Sequence, residues 1–526
     1  MNGSISERVG QPAPSKVPVV SLAFPTLDLL LLVFILCVLL QPLVEPDFGW
    51  HLRTGLDLLQ NGWQMPMTDP YSHTIPDWPW VEHAWLTDAV LAVIYRGLGS
   101  AGPLGAILFF AAVTGAAFAL AGGAARAGRT CRLLALSVVL WVALPFLGAR
   151  TQMVTLLGLA VVLRLVERYG RAARPQLWML PLLFLLWANL HGGFTAGLFV
   201  LALILAGSVV LRLASTWWPT ASESLRFVSR DEPLLDWPQI RHLALVAALS
   251  ALVTLINPYG WRLHHEIVAS LTDRLMIESL HEWQPISLAS RAGRWYIAYL
   301  VLLGLGAAGF YRRHEPLRCL ILGVFLVLSL RHFRNVPFFL LVSVSLCAET
   351  LADLTAGLAN TVTAGLRSAK RYLLGGAVAV ALGLAAAGPE HLQAVARCGL
   401  QPAEYFRGTD YPIEAVEWIR THRGQVGTRL YNDYGVGGFL LWWLPEEKVF
   451  IDGRMPAWRI GDRWIFYDYI ALTSWDPPEL GVLAKYGVDW AVVGAGTALE
   501  AALSGRADWR AVYNDTKVTL YVKVQG

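Results

Sequence analysis

The segment SLAFPTLDLLLLVFILCVLLQPLVEPDFGWHLRTG (21–55) joins a long apolar run to an acidic and aromatic loop. A helix needs about 20 apolar residues to cross a hydrocarbon core, and the run over 21–43 is long enough. Because it is also too long for the apolar core of a signal peptide, we expect it to remain as a spanning helix. The segment therefore predicts a membrane protein whose first helix leads directly into a polar loop.

The composition of the chain points the same way. Of its 526 residues, 55% are hydrophobic and 15% are charged, whereas soluble proteins average about 25% charged residues. This excludes a disordered chain and a water-soluble multidomain enzyme. The net charge of +4 is small, and no basic cluster is interleaved with aromatic residues, so we expect no nucleic-acid partner. The five cysteines show neither metal-site nor disulfide-framework spacing.

Ten further apolar runs bring the predicted spanning helices to about eleven. The runs lie near 103–122, 132–148, 152–167, 175–190, 193–213, 241–256, 295–311, 316–330, 335–351 and 372–388. The segment His83–Leu98 is ambiguous, because it is short for a span and contains Thr87 and Asp88. If it crosses the membrane, the orientation of every later helix inverts.

The distribution of positive charge resolves this ambiguity. If His83–Leu98 lies flat in the interface, the loops on the N-terminal side hold 19 arginine and lysine residues and the opposite short loops hold nine. The positive-inside rule then places a tail over 1–20 in the cytoplasm and the first outer loop, 44–102, outside. We expect a transmembrane domain over 21–390, with the C-terminal part of the chain on the outer side.

From 398 to 526 the composition changes, and charges become frequent. Short β-branched runs alternate there with amphipathic helical patterns, which indicates a small α/β domain outside the membrane. The predicted elements are helices at Pro412–His422 and Pro478–Tyr486, strands at Thr428–Tyr431, Lys448–Ile451 and Val488–Val493, and a closing hairpin at Trp509–Val524.

Unusual polar residues gather on the outer face of this topology. Ionisable groups beside apolar runs cost free energy unless they pair or line a wet cavity. Belt and capping roles explain any single residue, but the convergence of the whole set predicts an extracytoplasmic active site at the membrane surface. The motifs are EPDFGWHLRTG (45–55), TDPYSHTIPDWPWVEH (68–83), GARTQM (148–153), WANLHGGF (187–194), NPYGWRLHH (257–265), HEWQP (281–285) and RHFRN (331–335).

Carboxylates in the first outer loop are candidates for a general base. Asp47 and Glu82 lie at membrane entry points, where an idle charge is costly, and such a group can take a proton from a hydroxyl within reach. His83 follows Glu82, and this pair is the alternative location of the base. Asp69 and Asp77 precede proline or tryptophan–proline and are typical of turns.

Outer-face arginines form the complementary half of the predicted site. Arg150, Arg331 and Arg334, with His332, suit a lipid phosphate or pyrophosphate, because guanidinium groups bind phosphate with two donors and keep their charge. Snorkelling towards lipid headgroups is the alternative role.

These residues carry a resemblance to a known family. A first spanning helix, an acidic residue and a loop with two interfacial helices resemble the GT-C superfamily of membrane glycosyltransferases, which includes protein mannosyltransferases and lipid A aminoarabinose transferases. VIYRGLGSAGPLGA (93–106) is similar to the corner that follows the second interfacial helix in that family. PDFGWHLRTG, WVEHAWL, NPYGW, EWQP and VFIDGR resemble a largely uncharacterised bacterial group within it, although the adjacent Asp–Glu pair of mannosyltransferases is missing.

The resemblance implies a bacterial inner-membrane enzyme that transfers a sugar from a polyprenyl-phosphate donor to a glycan, lipid or protein acceptor. Asp47 or Glu82 would be the base, and the arginines would stabilise the departing phosphate. A divalent cation, Mg²⁺ or Mn²⁺, is possible in this family, with Asp47, His51 and Glu82 as ligands. The substrate-binding residues would be His51, Asn189, His191, Tyr259, Trp261, Glu282 and Trp283.

Two other classes remain open at this stage. A transporter or flippase of lipid-linked sugars would carry polar groups near mid-membrane, whereas here they lie at one face. A non-catalytic envelope scaffold would tolerate neutral substitutions at the outer charges. In the outer domain, YGVGGF (434–439) is expected to permit close packing or a turn rather than to bind phosphate. Asp452 and Arg454 either pair or cap the site.

Overall fold

The structure, a computed structural model, describes residues 25–169, 176–217, 234–313, 316–360 and 388–524. Its helices are α1 Pro25–Leu39, α2 Phe48–Gln60, α3 Trp85–Gly97, α4 Gly102–Gly122, α5 Arg129–Ala143, α6 Gln152–Tyr169, α7 Met179–Leu190, α8 Phe194–Trp217, α9 Trp237–Val253, α10 Trp261–Thr272, α11 Arg274–Ser279, α12 Arg291–Arg313, α13 Pro316–Arg331, α14 Val336–Asn360, α15 388–400, α16 Pro402–Arg407, α17 Ile413–Thr421, α18 Gly437–Trp443, α19 Ile465–Thr473, α20 Gly481–Lys485 and α21 Ala498–Ser504. Its strands are β1 Leu430–Asn432, β2 Arg459–Ile460, β3 Arg463–Trp464, β4 Trp490–Gly494, β5 Trp509–Asn514 and β6 Val518–Lys523.

Ten of the eleven predicted spans coincide with helices of the described chain. The eleventh, at 372–388, lies outside the described residues except for its last position. The chain is thus a helical membrane protein with a small C-terminal sheet domain, as expected. By length and hydropathy, five helices in the described part suffice to cross a membrane: Gly99–Gly122, Arg129–Phe146, Phe194–Trp217, Arg291–Tyr311 and Phe333–Ala356. Three shorter apolar helices, α1, α7 and α9, accompany them.

Helices α2 and α3 occupy the positions expected for interfacial helices. Each has 13 residues, which corresponds to about 20 Å at 1.5 Å per residue and is too short to cross a bilayer alone. They pack against each other at Gly55, where a Cβ atom would lie 2.0 Å from the carbonyl oxygen of Asp88. The pair therefore forms a tight unit beside the first span.

The C-terminal domain, called the outer domain here after its predicted location, contains a four-stranded sheet in the order β1-β4-β6-β5. Strand β4 is central, with β1 parallel on one side and β6 antiparallel on the other. The predicted strand at Lys448–Ile451 is absent from this sheet. Instead, Val449 forms a single parallel bridge with Ser72, because the first outer loop passes there and offers its own backbone groups.

The first outer loop completes the core of this domain. Trp50, Tyr71, Ile75 and Trp80 belong to the same buried cluster as the strand residues of the outer sheet. The Thr74 hydroxyl donates a hydrogen bond of 2.8 Å to the carbonyl of Phe450. The outer domain is therefore anchored on the loop that carries the candidate site.

Glycines of the YGVGGF motif allow the outer domain to approach α2. A Cβ atom on Gly438 would lie 2.1 Å from the carbonyl oxygen of Pro46, and one on Gly49 would lie 1.9 Å from that of Gly438. Helix α18 consequently packs directly on α2. The motif serves close packing, as the sequence predicts, and it places the outer domain against the N-terminus of α2.

Candidate active site

Asp47 is the residue immediately before α2. Its Oδ1 accepts a hydrogen bond of 3.0 Å from Trp50 Nε1, and its side chain does not cap the helix. The outer domain lies against it, since a Cβ atom on Gly453 would come within 1.7 Å of the same oxygen. Burial raises the pKa of Asp47, and the nearby His51 opposes this effect. A carboxylate with a raised pKa is well suited to accept a proton near neutral pH.

Arg150 lies between two carboxylates. Its Nε donates to Glu45, and its Nη1 donates to Glu282 Oε1 over 2.7 Å. Burial raises the pKa of Glu45 to about 7, although the charge of Arg150 opposes this. The Glu282 side chain is 44% exposed. An anion would therefore reach Arg150 most easily by displacing Glu282.

Arg334 is positioned by an aromatic ring. Its guanidinium carbon lies 4.3 Å from the centre of the Trp283 ring, an arrangement that favours a cation. The His332 Nδ1 contacts the carbonyl oxygen of Trp283 at 2.6 Å and so fixes the two turns to each other. Within the described residues Arg334 has no ion-pair partner, and it is only partly exposed. Arg331, at the end of α13, is exposed and makes no hydrogen bond or ion pair within the same ranges.

The rings of His51, His83 and His191 lie in a row. The ring centres of His51 and His83 are 6.1 Å apart, and those of His83 and His191 are 5.4 Å apart. Burial lowers the pKa of His51 and of His83 to about 3, so both are neutral at physiological pH. His191 Nδ1 accepts a hydrogen bond from the Gly193 amide at 2.9 Å, so a neutral His191 carries its proton on Nε2.

Glu82 and Asp88 form a buried acidic pair next to His51. Glu82 is 1% exposed and Asp88 is 0% exposed. The Glu82 Oε1 accepts from the amide of Ala84 at 2.9 Å, and Asp88 Oδ1 lies 2.7 Å from His51 Nδ1. Among the residues that the structure describes, their second oxygens, Oε2 and Oδ2, have no hydrogen-bond partner. Burial raises the pKa of both carboxyl groups, and the charge of Asp88 adds to the effect at Glu82.

These three residues could hold a metal ion. One nitrogen of His51 and one oxygen each of Glu82 and Asp88 lie within 4.8 Å of one another. The resemblance implies Asp47 in place of Asp88 as a ligand. The sequence signal for Asp88 is a carboxylate within an otherwise largely apolar helix.

The remaining predicted binding residues have different environments. The Asn189 amide accepts from Trp85 Nε1 at 3.0 Å and donates to the carbonyls of Leu185 and Ile256, so its polar atoms join three segments. Tyr259 is buried, and its hydroxyl donates to the carbonyl of Pro66 at 3.1 Å.

The first residue of α10, Trp261, is 67% exposed. Its ring contacts that of His265 on the next turn, with centres 5.9 Å apart. The structure places neither Trp261 nor Arg331 in contact with the residues around Asp47 among those it describes.

Arg454 forms a second buried charge cluster, which sequence analysis saw only in part. It donates to Asp452 Oδ1 at 2.8 Å, to Asp452 Oδ2 at 2.6 Å and to Asp69 Oδ1 at 2.7 Å. Rings of Tyr71 and Trp80 surround its guanidinium group. Asp452 and Arg454 therefore pair, and Asp69 extends the pair across to the first outer loop.

Tyr434 is a further residue near the site that sequence analysis did not select. Burial raises its pKa well above the ordinary value, and the charges of Asp47, Asp452 and Glu282 act in the same direction. It stands at the start of the YGVGGF motif, whose glycines attracted attention instead. The contact between α18 and α2 brings this tyrosine towards the acidic groups.

Comparisons with known proteins were made for the whole chain. No protein-family model matches it, and no curated protein is similar to it in sequence. It is similar to the structure of ArnT from Cupriavidus metallidurans in the apo state, with 16% identity, a TM-score of 0.50 and coverage of 95% of this chain and 97% of that one. The oligosaccharyltransferase of Archaeoglobus fulgidus tethered to an acceptor peptide is also similar, with 12% identity, a TM-score of 0.49 and coverage of 95% and 74%. The chain therefore has a fold similar to that of ArnT.

Proposed function

We propose that this protein is a membrane glycosyltransferase that moves a sugar from a polyprenyl-phosphate donor to an acceptor hydroxyl at the outer face. The observation that carries the proposal is the setting of Asp47. One of its oxygens is held by Trp50, and its other oxygen makes no hydrogen bond within the described residues. Arg150 and Arg334 lie on the same side of the molecule. A base and cations at the end of a membrane helix match the needs of transfer from a lipid phosphate.

The chemistry follows from this arrangement. Asp47 takes the proton of the acceptor hydroxyl while the hydroxyl oxygen attacks the anomeric carbon. The bond between that carbon and the phosphate oxygen breaks, and polyprenyl phosphate leaves with the electron pair. A nearby guanidinium group stabilises the charge that develops on the phosphate.

Asp47 is a better base than Glu82 because it can be reached. Asp47 is partly exposed at the junction between α2 and the outer domain. Glu82 is almost completely buried beside Asp88. An acceptor hydroxyl must come within about 3 Å of the base, and this is possible at Asp47 without separating α2 from α3.

Arg334 is the best candidate for the primary phosphate ligand. Arg150 already donates to two carboxylates, which neutralise it in this state. The Arg334 guanidinium lies over the Trp283 ring. Within the described residues, its N–H donors form no ion pair. A guanidinium held flat on a ring is oriented in advance, and this favours binding of phosphate by two donors.

The fold and the membrane helices support the same proposal. A polyprenyl chain needs an apolar environment beside the site, and the long apolar helices provide one. We place the site and the outer domain on the extracytoplasmic side of a bacterial inner membrane, with a glycan, lipid or protein as the acceptor.

The experiment is a turnover assay in lipid. Purified protein is incubated with a panel of polyprenyl-phosphate sugars, each with a glycan, a lipid and a peptide acceptor, and released polyprenyl phosphate is measured. Arg334→Gln and Arg331→Gln form a matched pair, since they remove the same group three residues apart. We expect release from at least one donor. We also expect donor binding to fall about tenfold or more in Arg334→Gln, because hydrogen bonds to charged groups contribute about 1.5–3 kcal/mol.

Other outcomes would contradict the proposal. Equal loss in both arginine variants would remove the special role of Arg334. Donor binding without release, together with movement of the donor across vesicles, would identify a flippase. No binding of any donor would leave the scaffold as the remaining class.

A further inference from the structure

A cluster of aromatic rings lies on the surface of the outer domain. The ring centres of Trp464 and Tyr467 are 5.5 Å apart, with their planes inclined by 21°. Those of Tyr467 and Trp475 are 5.9 Å apart, with their planes at 88°. Tyr467 is 42% exposed and Trp475 is 44% exposed. We call these three residues the aromatic corner.

The exposure of these rings is unusual for the outer domain. In the part of that domain that the structure describes, the exposed large apolar side chains are those of Leu400, Tyr467, Trp475 and Val524. Leu400 and Val524 lie near the two ends of the domain's chain, whereas Tyr467 and Trp475 contact each other. Single exposed apolar residues are ordinary, but exposed aromatic rings that gather in one place indicate a binding surface.

The elements around the aromatic corner hold it in a fixed shape. Trp464 ends β3, Tyr467 lies in α19, and Trp475 follows the end of that helix. Arg463, next to Trp464, donates to both carboxylate oxygens of Asp77 at 2.8 and 2.6 Å, which ties the β2–β3 hairpin to the first outer loop. Rings that are oriented in advance lose little conformational entropy when a ligand binds, and this favours binding.

The charges near the aromatic corner indicate which class of ligand it fits. Asp462, Asp476 and Glu479 are exposed, and within the described residues the carboxylates of Asp462 and Asp476 make no hydrogen bond or ion pair. The unpaired cation of this segment is Arg459, whose guanidinium carbon lies 5.3 Å from the centre of the Trp464 ring. An excess of carboxylates repels nucleic acid and an anionic lipid surface. A neutral ligand rich in hydroxyl groups can instead donate hydrogen bonds to them.

Helix α19 connects the aromatic corner with the candidate active site. Phe466 is buried, and its ring centre lies 5.5 Å from that of Tyr434, while the next residue, Tyr467, is exposed. Tyr434 begins the turn that leads into α18, and α18 packs on α2 directly after Asp47. A helix with its side chains is about 10–12 Å across. An extended ligand on the aromatic corner can therefore reach towards Asp47.

We propose that the aromatic corner binds an oligosaccharide, and that this oligosaccharide is the outer part of a glycan acceptor. The role as acceptor rests on the proposed glycosyl transfer, whereas the binding itself does not. A sugar ring has an apolar face of C–H groups, which packs on the electron-rich face of an aromatic ring. Its hydroxyl groups donate hydrogen bonds to carboxylates such as Asp462 and Asp476.

Binding is tested with full-length protein in detergent. The probes are fluorescently labelled hexasaccharides of glucose, of mannose and of N-acetylglucosamine, and fluorescence anisotropy measures their affinity. We expect at least one of them to bind. Trp475→Ala and Tyr467→Ala should each weaken this binding about tenfold or more, since truncation of an aromatic anchor has an effect of this size. Trp475→Phe keeps a ring and should retain most of the affinity.

Two controls make the result specific. Trp63 is 52% exposed on the first outer loop, so Trp63→Ala removes an equally accessible tryptophan and should bind the hexasaccharide as the wild type does. In the transfer assay, Trp475→Ala should raise the hexasaccharide concentration for half-maximal release of polyprenyl phosphate about tenfold. The release rate at saturating hexasaccharide should stay unchanged, because the aromatic corner contacts no reacting atom.

Three results would overturn the proposal. The first is a wild-type protein that binds none of the hexasaccharides, and the second is wild-type affinity in both Trp475→Ala and Tyr467→Ala. The third is an equal loss of affinity in Trp63→Ala. A failure of the proposed function is a different result, since hexasaccharide binding would then depend on Trp475 while the wild type released no polyprenyl phosphate. That result keeps the oligosaccharide site and rejects its role in transfer.

Discussion

Two buried pairs of carboxylates in the described part of the chain differ in whether an arginine bonds them. Asp69 and Asp452 share Arg454, which donates to both of them. Glu82 and Asp88 have no such cation within the described chain, and each leaves one oxygen unbonded. Both pairs are almost completely buried. The first pair connects the first outer loop to the outer domain, and Arg454 compensates both of its carboxylates. The second pair has no such compensation within the described residues.

This difference suggests that the first pair stabilises the fold and that the second pair serves function. A buried charge pair is stable when its geometry is good and the remaining lone pairs are satisfied. The Arg454 cluster meets this condition, because its guanidinium is bonded on several sides and enclosed by aromatic rings. A pair whose lone pairs stay unsatisfied lowers the stability of the folded protein. Such a loss of stability is typical of sites that act on a ligand.

The largest expected effect comes from removing the shared cation. Arg454→Met leaves Asp69 and Asp452 buried without compensation, and breaking a buried pair this way costs about 3–5 kcal/mol. Thermal and denaturant unfolding of the purified protein would measure the change. Arg463→Met is the control, because its pair with Asp77 is largely exposed and such pairs contribute about 0–1 kcal/mol. Equal effects in the two variants would show that the Arg454 cluster is not a special joint.

A second prediction compares one carboxylate from each pair. Asp69→Asn should destabilise by about 2–3 kcal/mol, because Arg454 loses one of its two partners. Asp88→Asn should change stability by less than about 1 kcal/mol or increase it, since no cation loses its partner. Unfolding of both variants under the same conditions checks this. If Asp88→Asn were the more damaging change, the two pairs would not differ as described.

The third prediction concerns the pH dependence of stability at Glu45, which is only partly buried. Burial raises the pKa of Glu45 to about 7, while Arg150, Asp47 and Glu282 face it and Tyr411 lies nearby. The unfolded chain therefore ionises this group first, so the wild type should lose stability relative to Glu45→Gln as pH rises from about 4.5 to 7. The loss over this range should be about 2.5 kcal/mol, because each pKa unit is worth about 1.4 kcal/mol and the group is already half ionised in the unfolded chain at the lower pH. Melting temperatures of both proteins across this range test it. A relative gain with rising pH would mean that the pair with Arg150 dominates.

Much of the fold was predictable because hydrophobic length is a local property. Ten of the predicted membrane helices coincide with helices of the structure, and these, α2, α3 and the C-terminal sheet domain follow from apolar runs and their periodicity. The strand expected at Lys448–Ile451 shows the limit of local patterns. Its residues are suited to a strand, but Val449 meets Ser72, which is remote in sequence and cannot be inferred from a local pattern.

The site was predictable in its residue types and less so in its pairings. Asp47, Glu82, His51 and Trp283 were selected because charge and aromatic rings are costly or useful at a membrane boundary. The partners depended on tertiary structure. The bond between His51 and Asp88 spans 37 positions, and that between Asp69 and Arg454 spans 385.

The two arginines of one turn illustrate the same limit at short range. Arg331 and Arg334 are equivalent in the sequence pattern. Arg331 ends α13 and is exposed, while the turn Phe333–Asn335 directs Arg334 onto Trp283. Only the path of the backbone between the two helices distinguishes them.

The most direct test of the central claim is the single-turnover rate of polyprenyl phosphate release by Asp47→Asn. Donor is bound first, so that the rate reports the chemical step and not binding, and Asp57→Asn serves as the matched control on α2. Loss of a general base slows transfer about 10²–10⁴-fold, and we expect this in Asp47→Asn with a wild-type rate in Asp57→Asn. A rate within about threefold of the wild type, with donor fully bound, would contradict Asp47 as the base and the mechanism built on it.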